Sequence, residues 1–547
     1  MPLFQPEMDS IGNRYSAVRK KTKYFITMIL LLISGGSFFI VSQEQQSRQR
    51  KKIELIYCDE LIIDKHLNKD LQRLIGNVAL RHNQILMTCD SAYLYQELNQ
   101  VKAYGNVKIN QADTISISGN YLFYDGNEEK GIMEGNVELS DKESKLFTAL
   151  VNYDVNTRVA SYPYTGRIIN GKNELFSKTG IYYSKEKRFH FKDSVRINNP
   201  DYTLKADTLE YNTETETAFF KGPSVIEGDS LYLYCEKGWY DTRNDISSIW
   251  QNALIDNRKQ VIRGDSLFYD RKKGFGEAFR NISITDTVNS VMAEGEYAWY
   301  YKEPERFLVT GRALFTQFSE NDSLYLHADT ITMVTLQSLT DTTEFRLMRA
   351  FHGCRVYSTD LQARCDSLSY SFQDSVIRLY YFPVLWSEEN QLTADSMAIF
   401  SKNRKTDRLE LYNNVFVAGQ VDSLRYNQIK GRKLTGYFEN NKLYRILIEG
   451  NGETIYFMVD NDELLGVNHA RSSSVEILVE EGKIKEIIEH QNPEGRLDPP
   501  GKDPPQELRL KGFAWYDDIR PKKKSDVFLK YPGATGILNV IQENIQK

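Results

Sequence analysis

Apolar and polar positions along residues 53–440 are arranged around a short phrase that returns many times. The phrase is a small residue, Asp, Ser or Thr, and then apolar and aromatic residues. It reads Ala206-Asp207-Thr208-Leu209-Glu210-Tyr211, Gly228-Asp229-Ser230-Leu231 and Gly264-Asp265-Ser266-Leu267-Phe268-Tyr269. Further copies stand at Cys58-Asp59, Cys89-Asp90, Gly119-Asn120, Ala328-Asp329, Cys365-Asp366 and Ala394-Asp395. Clear copies are mostly about 30 to 37 residues apart, with one interval near 22, the range of stacked-repeat architectures.

Apolar residues sit three before the Asp, as at Ile117, Leu204 and Leu326, and a small residue sits one before it. Two and four after it the positions are again mostly apolar, as in Leu122 and Tyr124, Leu231 and Leu233, or Ile331 and Met333. Side chains alternate faces along a strand, so the inward set changes parity at the Asp. A corner or a one-residue bulge there restores a common inward direction. Asp followed by Ser or Thr suits a corner because its short side chain bonds nearby backbone N–H groups.

Between these phrases lies a second element, Gly76-Asn77-Val78, Gly105-Asn106-Val107 and Gly135-Asn136-Val137. Its alternation is expected to run straight through, as in Val101, Ala103, Gly105, Val107 and Ile109. Turn-forming stretches such as Asp125-Gly126-Asn127-Glu128 separate the two elements. Each repeat therefore reads as two antiparallel strands of a meander. With degenerate copies near Thr179, Glu294 and Arg432, about 12 repeats are expected.

Net charge is only −5, with acidic and basic residues interspersed, which argues against a nucleic-acid surface. A basic flank (Arg14, Arg19, Lys20, Lys21, Lys23) precedes an apolar run at residues 24–41, which reads as a secretory signal or a membrane anchor. Export with cleavage is the favoured reading. The five cysteines are an odd number, and equivalent positions such as Cys58 and Cys89 are too far apart to pair, so they read as small buried residues. Cys235 and Cys354 belong to no motif. The seven histidines have no metal-ligand spacing, and no catalytic motif is present. No enzyme, cofactor or metal site is expected. The repeated Asp reads as a turn residue, and a calcium ladder lacks the Gly-rich nonapeptide it needs.

The inward apolar positions define the candidate site: Ile117, Leu122, Leu204, Leu209, Leu231, Leu233, Leu267, Leu326 and Ile331. They would line either an apolar trough or an ordinary closed core, and the pattern fits both.

The alternation of Ala-Asp-Ser/Thr-Leu-x-Tyr with Gly-Asn-Val resembles the OstA-like periplasmic domains of the lipopolysaccharide transport machinery. It is clearest from Ile117 through Tyr124 to Gly135-Asn136-Val137, and at Leu204–Leu209. The resemblance implies an elongated all-β antiparallel jelly-roll, or β-taco, holding lipid acyl chains. It also implies lipopolysaccharide or another lipid as cargo, and other transport proteins as partners through edge-strand pairing. A periplasmic location follows, peripheral to or N-terminally anchored at the membrane. The alternatives are a structural or adhesive β-solenoid with a closed core, and an outer-membrane β-barrel.

The expected organisation is a signal or anchor at 1–45, jelly-roll parts at 46–200 and 201–440, a β-rich cap at 441–492, and a Pro-rich linker with a C-terminal docking tail at 493–547. For that tail, folding back on the stack is an equal alternative.

Overall fold

The computed structural model describes residues 52–529 apart from 64–69, 112–114, 142–143, 230, 320–321, 339–342, 403–404, 461–462, 482, 502–503 and 505–507. The expected signal or anchor at 1–45 lies outside them. Among the described residues no helix is long and apolar enough to cross a membrane.

The described chain is an antiparallel meander. Its 38 strands make 28 passes, because ten passes are interrupted in the middle. Each pass pairs with the one before and the one after, as Glu60–Ile63 with Leu71–His82 and that strand with Ile85–Tyr95. Each bends midway, so its halves belong to two facing layers. One continuous cluster of buried apolar side chains between the layers runs from Ile53 to Ile477. This is the expected β-jelly-roll, and its last passes are Lys442–Asp460, Glu463–Glu480, and Lys483–His490 with Glu494–Asp498.

Parity changes at the Asp as the pattern requires. In Ile85–Tyr95, the residues Met87 and Cys89 are buried before the corner, and Ala92 and Leu94 after it. The extra residue, however, is on the opposite strand. Ile75 and Val78 face Ser91 and Cys89, and Tyr104 and Val107 face Tyr121 and Gly119, so three steps on the Gly-Asn strand match two on the other. Gly76 and Asn77 have φ of 73° and 45°, and Gly105 and Asn106 have 74° and 43°. Two successive left-handed residues turn that strand while its alternation runs on as expected, with Val101 and Ala103 buried before the bend and Val107 and Ile109 after it. Gly and Asn are the residues that tolerate this conformation.

The Asp is held across the strands rather than by its own backbone. Asn77 Nδ2 donates to Asp59 Oδ2 at 3.0 Å, Asn106 to Asp90 at 2.9 Å, Asn281 to Asp265 at 3.0 Å and Asn414 to Asp395 at 3.0 Å. A row of such clasps runs along the fold line.

One copy of the phrase was misplaced. Gly228 pairs directly with Leu231, so Asp229 lies in a hairpin connection. The true corner of that pass is Glu236, between Leu231–Cys235 and Lys237–Asp241, and Asn252 Nδ2 donates to its Oε1 at 2.7 Å. The corners then fall at Asn120, Ala149, Lys178, Asp207, Glu236 and Asp265, at an even interval of 29 residues. The short interval disappears.

Cys354 and Cys365 are direct cross-strand partners facing the core, a pairing the absence of a motif had hidden.

The chain then turns back. Residues 508–529 lie as a strap over the outer face of the last third of the stack. Three buried glutamines hold it. Gln428 Nε2 donates to Leu508 O at 2.9 Å, and Leu510 N donates to Gln428 Oε1 at 2.9 Å. Gln391 does the same with Ala514 O (2.8 Å) and Tyr516 N (2.7 Å), and Gln362 accepts from Arg520 Nε at 2.8 Å. Leu508 packs on Ile455, Phe457 and Val467, and Ile519 on Val384 and Trp386.

At the far end His327 lies beneath Phe528, with ring centroids 4.9 Å apart, its Nδ1 2.8 Å from Ala313 O. Burial lowers its pKa, with Arg355 and Arg312 adding to the effect and the Ala313 carbonyl and Asp329 opposing it. The exposed imidazole binds protons near pH 6.5, so the undocked strap holds more protons than the docked one. His327 therefore favours docking fully above about pH 6.5 and progressively less as pH falls from there to its lowered docked value. Protection factors across residues 508–529, taken relative to the intrinsic exchange rate at each pH, are expected to fall between pH 7.5 and 5.5, and His327→Gln should flatten that dependence. An unchanged profile in the variant would refute the assignment.

Candidate lipid-binding interior

The interior is built from alternate residues of every pass. Of the nine sequence-predicted site residues, eight are buried there: Ile117, Leu122, Leu204, Leu209, Leu233, Leu267, Leu326 and Ile331. Cross-strand pairing brings them together in rows. Leu122 lies between Ala103 and Met133, and Leu209 between Phe191 and Phe220. Leu231 does not belong. It is 38% exposed at the outer end of its strand, because the corner of its pass is Glu236 and not Asp229.

Side chains fill the interior. A cavity of about 10 Å³ remains among Ile85, Ile117, Leu122, Tyr124, Met133 and Val151. That is room for one water at most.

The layers join along the clasped corners, and at the opposite side their rims meet through polar side chains. His82, which is 1% exposed, has its Nδ1 2.8 Å from the Tyr124 hydroxyl. These two residues end passes of opposite layers, and their rings meet edge-on at 5.6 Å. Beside them Asn83 Nδ2 donates to Glu129 Oε1 at 3.0 Å, and further along Tyr182 OH donates to Asp141 Oδ2 at 3.3 Å. Burial keeps the Tyr124 phenol protonated, its pKa raised well above the ordinary value. These pairs latch the rims. Sequence inspection missed them, because His82 read as one scattered histidine and Tyr124 as one more inward aromatic. The signal available was a histidine ending a strand at an inward position, where an aliphatic residue is the rule.

A second aromatic closes the interior further along. Tyr162 OH lies 2.5 Å from Ser177 Oγ, and burial raises its pKa to about 12. A Cβ on Gly180 would come within 2.3 Å of that hydroxyl, so the ring occupies space that only glycine leaves.

An apolar interior between two bent layers, clasped at one edge and latched at the other, defines a β-jelly-roll of the taco type. Residues 50–207 and 209–305, somewhat under half of the chain, match the family model for OstA-like protein. Among solved structures it is similar to LptH, the LptA-homologous periplasmic component of the lipopolysaccharide transport device of Pseudomonas aeruginosa. That similarity has 15% identity and a TM-score of 0.18, and covers 19% of this chain and 79% of that one. No curated protein matches the chain.

Proposed function

We propose that this protein carries lipopolysaccharide or a related lipid through the periplasm, without catalysis, holding the acyl chains between its two layers. The continuous apolar interior with latched rims is the observation that carries this reading, and the match of residues 50–207 and 209–305 to the OstA-like family model supports it. Twenty-eight passes at about 4.8 Å spacing reach on the order of 130 Å, enough for a bridging role toward the outer membrane. The first strands, Glu54–Tyr57 and Glu60–Ile63, pair on one side only among the described passes and expose Ile56, Leu61, Ile62 and Ile63. Such an edge suits strand addition by a partner of the same architecture. The apolar side chains face inward, the reverse of the lipid-facing band of a membrane barrel.

The tightly filled interior favours one rival, a structural solenoid with a permanently closed core. A rim lock separates the two. With Asn83→Cys and Glu129→Cys joined by a disulfide, photo-crosslinkers at Leu122 and Leu209 should lose at least about tenfold in lipopolysaccharide capture, and reduction should restore it. Crosslinkers at the outward Lys205 or the exposed Leu231 should capture little in either state. Equal labelling at inward and outward positions, or capture indifferent to the lock, would sink the carrier reading.

A further inference from the structure

A groove of about 1680 Å³ opens beside the strap on the outside of the fold. Its floor is a row of directly paired residues on the outer face: Arg364, Val384, Thr393, Phe416 and Lys430. Four strand spacings place its two cations on the order of 19 Å apart. Across the corner a second row, Arg349, Ser369 and Arg378, faces the same space. The strap supplies one wall, with Lys511 and Phe513, and the exposed Tyr381 and Phe382 supply the other.

The charge of the groove is opposite to that of the chain. Five Lys and Arg side chains line it against two carboxylates, Asp366 and Asp395, whereas the whole protein is net −5. Both carboxylates are engaged: Asp395 accepts from Asn414 at 3.0 Å, and Asp366 from the Ser367 hydroxyl at 2.7 Å. Arg378 meets Asp374 at 3.0 Å outside the lining. Guanidinium groups bind phosphate oxygens through paired N–H bonds. The exposed rings of Tyr381 and Phe382 offer flat apolar faces, and Ser367, Ser369 and Thr393 offer hydroxyls.

We propose that this groove binds a linear saccharide bearing phosphate groups, with the sugar faces against Tyr381 and Phe382 and the phosphates on Arg378 and Lys430. A ligand of this kind satisfies separated charges and the apolar faces together. A single small anion would leave most of the groove empty, since small-ligand pockets are about 300–1,000 Å³. The groove lies outside the layers, so it stands or falls separately from lipid carriage in the interior.

The test is calorimetric titration of the full chain with a phosphorylated oligosaccharide free of acyl chains, beside its enzymatically dephosphorylated counterpart. Binding is expected for the first and at least about tenfold weaker for the second. Arg378→Gln and Lys430→Gln should each weaken binding roughly tenfold, the usual loss of a charge-assisted contact, with circular dichroism confirming the fold, while Lys205→Gln on another outer face should not. Equal affinity for both saccharides, or full binding by the two groove variants, overturns the proposal. So does equal binding of an acidic peptide, single-stranded DNA or phosphatidylglycerol vesicles.

Discussion

Replacing Leu209 by Ala is expected to destabilise its part of the stack by about 3 kcal/mol, the usual cost of truncating a buried leucine, and Leu231→Ala is expected to change stability by less than about 0.5 kcal/mol. The two residues occupied equivalent places in the sequence pattern, each two positions after an Asp. Leu209 is fully buried between Phe191 and Phe220, both themselves buried, so its removal leaves a cavity that neighbouring aromatic rings cannot collapse into. Leu231 stands at the outer end of its strand and is 38% exposed.

The loss should also be local. In a stacked fold each pass contacts chiefly the passes near it, by pairing and across the two layers, and stability is nearly a sum of such local contributions. Hydrogen exchange should therefore quicken over residues 188–228 and leave the passes around Leu122 and Leu326 protected. Uniform loss of protection along the whole chain would show a single cooperative unit instead. Equal effects of the two substitutions would refute the corner at Glu236.

Most of this architecture was legible because it is local and periodic. Parity read from Ile117, Leu122, Leu204 and Leu209 placed the inward face correctly, since a strand allows only two faces. Where the reading failed, a residue type misled. Gly228-Asp229-Ser230 has the composition of a corner, but such residues also suit a tight hairpin, and Gly228 pairs directly with Leu231. Glu236 holds the corner of that pass, and its longer carboxylate reaches the same asparagine that Asp finds elsewhere. The Gly-Asn element was recognised as a strand while its function in the bend was not, because the turn depends on backbone angles that alternation does not report. The strap was beyond reach for a different reason. Its anchors join Gln428 to Leu510 and Gln391 to Tyr516, 82 and 125 residues apart, and a lone buried glutamine carries no periodic mark. The strap also supplies one wall of the groove.

Gly105→Ala is expected to cost about 2–4 kcal/mol locally, and removal of the facing carboxylate should recover part of that loss. The backbone at Gly105 has φ of 74°, a conformation that costs an L side chain about 1–2 kcal/mol. A Cβ there would also come within 2.4 Å of Asp90 Oδ2, so the clasp itself must open. Asp90→Ala alone removes the 2.9 Å bond from Asn106 and, at this exposed site, should cost about 1 kcal/mol. In the double variant the clash with the carboxylate is gone, and the backbone penalty, the lost bond and a tight 3.0 Å approach to the Cβ of residue 90 remain, so the combined effect should fall short of the sum by more than about 0.5 kcal/mol. Amide exchange at residues 88–91 and 104–107 measures each state. Strict additivity would mean that Asp90 does not constrain the bend. The corner row fixes the angle between the two layers, and the rim pairs His82–Tyr124 and Asn83–Glu129 fix their closure, so the corner variants should leave exchange at the rim unchanged. Quickened exchange at both edges would instead mean that the hinge and the latch are one mechanical element, and that the interior widens from either side.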